Sequence, residues 1–433
     1  MRIVVVGSGG REHAFAHAFR HFGHQVRVTP GNAGIPGSVA DAPESLVAAT
    51  DLFVVGPEAP LVDGLADRLR AAGALVFGPG VDGAQLEGSK AWMKDVLVAA
   101  GVPTAHHGTF EAHQLTEALE FLRTMIPPYV VKTDGLAAGK GVVVTSSLAD
   151  AELTVASYLS GEAFGAAGST CVIEEGLIGT ELSVFAICDG HRAVLCGSAQ
   201  DHKRIGDGDT GPNTGGMGAF SPVADLPPDL ESIVLHSAIE PTLAELRRRG
   251  IDYRGVLFCG LMLTSEGPKV LEYNIRFGDP EAQAILPRVT SDLAVVMAEA
   301  AAGELRSAVT LSSDATVCVV LAAENYPAPP RTGDRIEGLA VARAQPGITV
   351  FAAGVGADPN GGASPDGDTD LSLVTAGGRV LNVVGRGRDV AEARTTAYDA
   401  VRSISWPGRY HRTDIALPPV RTPAGDHQRS VSP

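Results

Sequence analysis

The chain is short of cysteine, of basic residues and of long apolar runs, and each shortage excludes something. Among 433 residues the cysteines are Cys171, Cys188, Cys196, Cys259 and Cys318. Their number is odd, none forms a CxxC pair, and each sits among apolar neighbours. Reduced core thiols in a cytoplasm are expected, not a disulfide framework. Lysine and arginine total 34 against 50 acidic residues, a net charge of −16. Nucleic acid is therefore not expected as a partner, because phosphate backbones are bound through basic surface. Small anions remain open, since they need only a local basic pocket. No run of 18 uncharged apolar residues suggests a membrane span. The start, MRIVVVGSGG, has too short an apolar run for a signal peptide. What remains is a globular composition, 45% hydrophobic and 19% charged, long enough for about two to four domains.

The stretch that organises the chain is Tyr129 to Thr145, YVVKTDGLAAGKGVVVT. Two β-rich runs flank a loop in which Gly135, Gly139 and Gly141 let backbone approach a ligand. Lys132 ends the incoming strand and Lys140 sits in the loop, so amides and ammonium groups are both available to a polyphosphate. A P-loop is excluded. Three residues, not four, separate Gly135 from Gly139, Gly141 replaces the metal-binding hydroxyl, and Val142-Val143-Val144 reads as strand. A glycine-rich flap on a β-hairpin points to the ATP-grasp architecture, with a plain glycine-rich turn as the bland alternative.

Ile3 to Val6 reads as a buried strand, Gly7 to Gly10 as a turn, and Arg11 to Gly23 as a helix with Ala14, Phe15, Ala18, Phe19 and Phe22 on one face. This resembles a dinucleotide-binding start, but Glu12 stands where the fingerprint needs its third glycine. A phosphate site at a helix N-terminus is expected instead. Gly9 and Gly10 would offer amides with Arg11 nearby, and Glu12 would take a ribose hydroxyl or an amine. Further strands at Gln25 to Thr29, Asp51 to Val55 and Ala74 to Phe77 end in loops carrying Asn32 and Glu58. Ligands bind at that edge of a parallel sheet, although ordinary turn and capping chemistry also explains both residues. His13, His17 and His21 recur every four residues; a solvated helix face explains them better than a metal.

Ser89 is expected to cap a helix that carries Lys94. Cys171 to Leu177 is an apolar strand ending in Glu174-Glu175, able to offer its backbone to an adenine edge; Glu181 follows it for ribose hydroxyls. Gln200 to Ser221 is polar, glycine-dense and without helical or strand period. Its Asp201-His202-Lys203-Arg204 cluster is too chemically varied for a linker, so a substrate loop is expected. In the strand Lys269 to Asn274, Glu272 and Asn274 share a face, ~7 Å apart at Cα, and Arg276 follows two residues on. A carboxylate and an amide carbonyl beside phosphate oxygens make hard-cation chemistry.

These segments, in order, resemble the glycinamide ribonucleotide synthetase family of ATP-grasp ligases. GSGGREHA (7–14), PGNAG (30–34), VGPEAPL (55–61), QLEGSKAWMKD (85–95), VKTDGLAAGKGVVV (131–144), VIEEGLIGTELS (172–183), the QDHKR…GPNTGGMGA stretch and EYNIRFGDPE (272–281) carry it, with YPAPPRTGD and TAGGRVLNVVG beyond. Thr133 and Ser8 depart from the family's pattern, as does an insertion at 358–370. The resemblance implies a multidomain α/β and α+β protein. It would have a Rossmann-like pre-ATP-grasp domain (1–101), an ATP-grasp domain (102–310, flap subdomain about 120–185), a small C-terminal α+β domain (311–420) and a disordered tail (421–433).

It also implies a cytoplasmic ligase of purine biosynthesis that joins glycine to 5-phosphoribosylamine with ATP and Mg²⁺ or Mn²⁺. Its partners would be these small molecules, with no nucleic acid and no membrane, and it would be a monomer or a weak dimer. Lys94, Lys132, Gly135, Gly139, Lys140, Gly141, Glu174, Glu175, Leu177 and Glu181 would bind ATP, and Glu272 and Asn274 the metal. Arg276 would stabilise the transferring phosphoryl group. Asp201 and Lys203, with Pro212, Asn213, Thr214, Gly215 and Gly216, would organise glycine and the amine. Gly9, Gly10, Arg11, Glu12, Asn32 and Glu58 would receive the aminosugar. Another ATP-grasp acid substrate, or an idle nucleotide binder, are the competing readings.

Overall fold

Ile3, Val4, Val5 and Val6 are β-branched, and all four are buried. Their side chains alternate between two separate cores, Ile3 and Val5 in one, Val4 and Val6 in the other. Burial on both faces is what a parallel sheet requires. In the computed structural model, which describes residues 1–135, 141–161, 170–224, 226–359 and 372–417, that strand is central. The spatial order is Gln25–Pro30, Arg2–Gly7, Leu52–Val55, Val76–Phe77, all parallel as expected.

The helix Gly10–His21 buries Ala14, Phe15, Ala18 and Phe19. His13 is a correction to the solvated-face expectation: its ring is buried and its Nδ1 accepts the Ala352 N–H at 2.9 Å. Burial pushes the His13 imidazolium down to about 3, so it stays neutral. The sequence gives a histidine period but not the third-domain strand that covers it.

The flap hairpin forms as expected. Tyr129–Thr133 pairs antiparallel with Val142–Thr145 within a four-stranded sheet that also contains Thr170–Glu175 and His107–Glu111. Helices Leu115–Thr124 and Leu148–Leu159 close one face through Ala118, Leu122, Val155 and Leu159 against Val131 and Ile173.

The largest sheet has eight strands. Its order is Gly267–Asn274, Arg254–Thr264, Thr180–Asp189, Ala193–Asp201, Gly218–Ser221, Ala315–Ala322, Arg379–Gly387, Ile348–Ala352. Two findings differ from the sequence reading. The stretch 200–221 is folded: Arg204–Gly206 pairs with Thr210–Asn213, and Gly218–Ser221 is an interior strand. A four-residue strand with a glycine shows no period; its pairing is dictated by its neighbours. The third domain also continues the central sheet, because Gly218–Ser221 pairs with Ala193–Asp201 on one side and Ala315–Ala322 on the other. Phe277 fastens the first helix to that sheet, edge-on to Phe15 and stacked on Phe185, each at 5.4 Å. All five cysteines are buried and unpaired. Among the described residues no helix is long and apolar enough to cross a membrane. Gly139, Lys140, the 421–433 tail and residues 360–370 of the insertion lie outside the described residues.

Candidate active site

Two strands and a helix converge on one buried carboxylate. Lys132 is next to last in its strand, Glu174 next to last in the strand beside it, and Lys94 projects from the helix Lys90–Ala99. Ser89 caps that helix by accepting the Trp92 N–H, as expected. Glu174 lies 2.8 Å from the Lys132 ammonium and 3.1 Å from that of Lys94. Glu174 Oε1, the oxygen facing Lys132, has no aligned hydrogen bond. The Lys94 ammonium is fully buried and donates to Thr104 Oγ1 at 2.7 Å; that of Lys132 donates to the Leu271 carbonyl at 3.3 Å. Burial pulls Lys94 down to about 8 even though Glu174 opposes it.

The adenine edge expected at Glu174 and Glu175 is largely occupied. Glu174 has paired strands on both sides, and the Glu175 N–H goes to the His106 carbonyl. The Glu175 carboxylate accepts the His106 N–H at 3.0 Å and lies 3.8 Å from Lys269. Leu177, just past the strand, has no backbone hydrogen bond among the described residues. At the flap's base the Gly135 carbonyl accepts from Lys90 at 2.9 Å and the Gly141 carbonyl from the Thr133 N–H at 2.8 Å.

A second constellation surrounds Arg276. Its guanidinium lies 2.7 Å from Glu87 and 3.1 Å from Glu58, both supplied by the first domain's side of the cleft. Glu87 also accepts the Ile275 N–H at 2.9 Å. Burial alone would lower the Arg276 pKa, but Glu87, Glu58 and Glu281 together hold it above its ordinary value. Burial likewise would raise Glu58, and Arg276 with Arg11 holds it below the usual carboxylate range.

Glu272 is the contrast. Among the described residues its carboxylate has no hydrogen bond or salt bridge. Burial would raise it, but Lys203, Lys132, Lys90 and Arg276 keep it ionised. The Asn274 amide, buried and on the same face, has no hydrogen bond among the described residues either. Two hard oxygen donors without a protein partner among the described residues fit a divalent cation that brings phosphate oxygens with it. The protein alone does not complete a shell: no group of three or more His, Cys, Asp or Glu that could hold a metal occurs among the described residues.

Lys203 forms an ion pair with Glu181, the residue expected at ribose. Asp201, Glu181 and Glu272 hold the Lys203 ammonium above its ordinary value against burial. Burial raises Asp201, with Lys203 opposing. Glu281, unremarked in the sequence beyond starting a helix, is pushed up to about 7 by burial and by Asp201. Beyond Lys203, Thr214 donates through both its N–H and its hydroxyl to the Lys203 carbonyl, each at 2.8 Å, and its hydroxyl accepts the Gly216 N–H at 2.9 Å. Pro212 and Asn213 are exposed at the end of their strand.

At the first turn the expected phosphate amide is already used. The Gly9 N–H donates to Glu12 at 2.6 Å, and Glu12 accepts from Arg11 at 2.7 Å. A carboxylate three residues into a helix is the nearest acceptor for its orphan N–H groups. Gly10 touches the side chains of Asn382 and Gln283, and a Cβ there would overlap both. Arg11 also donates to the Phe277 carbonyl at 3.0 Å. Asn32 brackets domains: its amide donates to the Ser8 carbonyl at 2.7 Å and the Ala353 carbonyl at 2.8 Å, and accepts the Gly34 N–H.

Glu87, Lys90, Glu281, Asp279 and Arg379 are the residues sequence reasoning passed over. Glu87 and Lys90 lay within a segment noted for its cap, and Glu281 and Asp279 within one noted for its arginine.

Family models described as phosphoribosylglycinamide synthetase N domain, ATP-grasp (A) domain and C domain match residues 1–87, 88–282 and 316–418. The chain is 46% identical over 431 residues to the phosphoribosylamine–glycine ligase of Caulobacter vibrioides, covering 96% of this chain and 97% of that one. It is 44% identical over 430 residues to the enzyme of the same name from Brucella melitensis, with 96% and 97% covered. The crystal structure of phosphoribosylamine–glycine ligase from Thermotoga maritima matches with a TM-score of 0.83 at 35% identity, over 96% of this chain and 100% of that one.

Proposed function

The chain belongs to the phosphoribosylglycinamide synthetase family, and from that premise we propose a role for each side chain of the cleft. The reaction is the ATP-dependent joining of glycine to 5-phosphoribosylamine, an early step of purine synthesis, through glycyl phosphate. A free carboxylate resists amines because its leaving group would be oxide. A glycine carboxylate oxygen therefore attacks the ATP γ-phosphorus and ADP leaves. The sugar amine then attacks the glycyl carbonyl carbon, loses a proton, and inorganic phosphate departs.

Phosphoryl transfer depends on positioning and charge stabilisation. Lys94, Lys132, Gly135, Gly139, Lys140 and Gly141 hold the ATP phosphates. Leu177 and the backbone near Glu174 and Glu175 frame adenine, and Glu181 takes ribose. Arg276, kept cationic by Glu87 and Glu58, stabilises the phosphoryl group in flight and the acyl phosphate. Glu272 and Asn274 would hold Mg²⁺ or Mn²⁺, which neutralises phosphate charge when bound. Asp201 and Lys203, with 212–216, orient glycine and the amine. Gly9, Gly10, Arg11, Glu12, Asn32 and Glu58 form the wall that receives the aminosugar, Glu12 and Asn32 chiefly by shaping its loops. The observation that carries this assignment is Glu272, an ionised carboxylate without a partner among the described residues, ringed by Lys203, Lys132, Lys90 and Arg276. We also propose the division 1–101, 102–310 and 311–420, a cytoplasmic location consistent with five buried unpaired thiols, and a monomer or weak dimer.

The test is ADP release from purified protein with MgATP, glycine and phosphoribosylamine generated in the tube. Release is expected only with all three, and a chelator should abolish it. Release indifferent to glycine would move the reading to another acid substrate of the same scaffold.

Lys94 sets a pH dependence. ATP is anionic, so the neutral amine binds it less well than the ammonium. With Lys94 titrating at about 8 in the free protein, kcat/KM for ATP should fall above that pH, by up to about tenfold per pH unit. In Lys94→Met the value is lower throughout and that alkaline limb is flat; a limb that survives the substitution assigns it elsewhere.

A further inference from the structure

The third domain reaches the segment 212–216 through two side chains, Arg379 and Tyr326. One guanidinium nitrogen of Arg379 lies 2.5 Å from the Gly215 carbonyl, 2.6 Å from the Asp279 carbonyl, 3.3 Å from the Asp279 carboxylate and 3.4 Å from the Gly216 carbonyl. It thus ties the segment 212–216 to the turn that follows Arg276. Tyr326 takes the other side, its hydroxyl accepting the Gly215 N–H at 3.0 Å. Gly216 has φ +105, a conformation open to glycine, and a Cβ on Gly215 would sit 2.9 Å from the Arg379 guanidinium carbon. The close approach therefore needs both glycines. The preceding hairpin is docked on the same domain: Arg412, almost wholly buried, donates to the Arg204 carbonyl at 3.0 Å and pairs with Asp209 at 2.7 Å.

We propose that Arg379 and Tyr326 are positioning residues, which fix 212–216 against the Asp279 turn so that glycine and the aminosugar meet an already formed surface. This rests on the reading that 212–216 organises those two substrates. A segment of this kind, exposed at Pro212 and Asn213 and rich in glycine, loses entropy when it orders; a domain that orders it beforehand removes that cost from substrate binding. In the roles proposed above ATP meets other elements, so its binding should be indifferent to the clamp.

Steady-state kinetics of Tyr326→Phe, Arg379→Lys and Asn213→Ala test this. Tyr326→Phe keeps the ring and removes one hydrogen bond, so KM for glycine or the aminosugar should rise about two- to tenfold. Arg379→Lys keeps the charge, but its shorter side chain withdraws the nitrogen from between the Gly215 and Asp279 carbonyls, and a rise of about tenfold or more is expected. KM for ATP should stay within about twofold in both. If Asn213→Ala raises either KM while the other two variants do not, the clamp is overturned and the reading of 212–216 stands. If none of the three moves either KM, that reading falls and the clamp with it. Equal losses for all three substrates mean general damage and also overturn the clamp.

Discussion

Replacing Arg276 with alanine lowers kcat by about 10²–10³-fold and changes KM for ATP far less. The guanidinium lies two residues past the end of the strand that carries Glu272 and Asn274, and in the role proposed above it meets the γ-phosphate. Both carboxylates hold it by its edges, at 2.7 and 3.1 Å, and they keep it charged in a buried place. An arginine so fixed needs no reorganisation when charge spreads over the phosphoryl oxygens, which is why its effect should appear in kcat. Arg276→Lys should recover only part of the rate, because a single ammonium does not reproduce the fork. Alanine leaves Glu87 buried without its cation, so activity must be compared per folded protein. Steady-state kinetics with ATP varied decides the matter: a rise in KM with kcat intact would mean that Arg276 only binds ATP.

The elements legible in the sequence were those whose pattern is local. The parallel strand at Ile3 to Val6, the flap hairpin and its two strands, the Ser89 cap and the strand ending at Asn274 each follow from a period, a turn or a capping residue within a dozen positions. So did the presence of Lys132, Glu272 and Arg276, since strand ends gather ligands and alternation puts Glu272 and Asn274 on one face. What the sequence withheld was pairing across distance. Arg276 meets Glu58 and Glu87, which lie 218 and 189 residues earlier, and Arg379 meets Gly215 164 residues away. No period connects such partners; only the sheet that carries them does. The same blindness explains His13, where the repeat was visible but the covering strand was not; Glu12 is a different case, since its carboxylate is taken by the Gly9 N–H of its own helix terminus, a local contact.

Glu174 offers the sharper separation between two roles for one residue. If its carboxylate chiefly serves the nucleotide, Glu174→Ala should weaken ATP binding and leave stability alone. The geometry argues otherwise, because the carboxylate lies between the ammonium groups of Lys94 and Lys132, fully and nearly fully buried. Burial would raise its pKa, and the two lysines hold it below the ordinary range, so at neutral pH the trio carries one negative and two positive charges. Removing the one negative charge leaves two cations facing each other out of water, a loss of about 3–5 kcal/mol in unfolding free energy. Urea denaturation without ligand should show it. MgATP supplies phosphate charge to the same two lysines, so it should restore more stability to Glu174→Ala than to the parent at equal saturation. Glu174→Gln should fall between, keeping the packing while losing the charge. Unchanged urea stability in Glu174→Ala would return the residue to the nucleotide. A large loss that ATP repairs would make it the counter-ion that keeps both lysines in place until phosphate arrives.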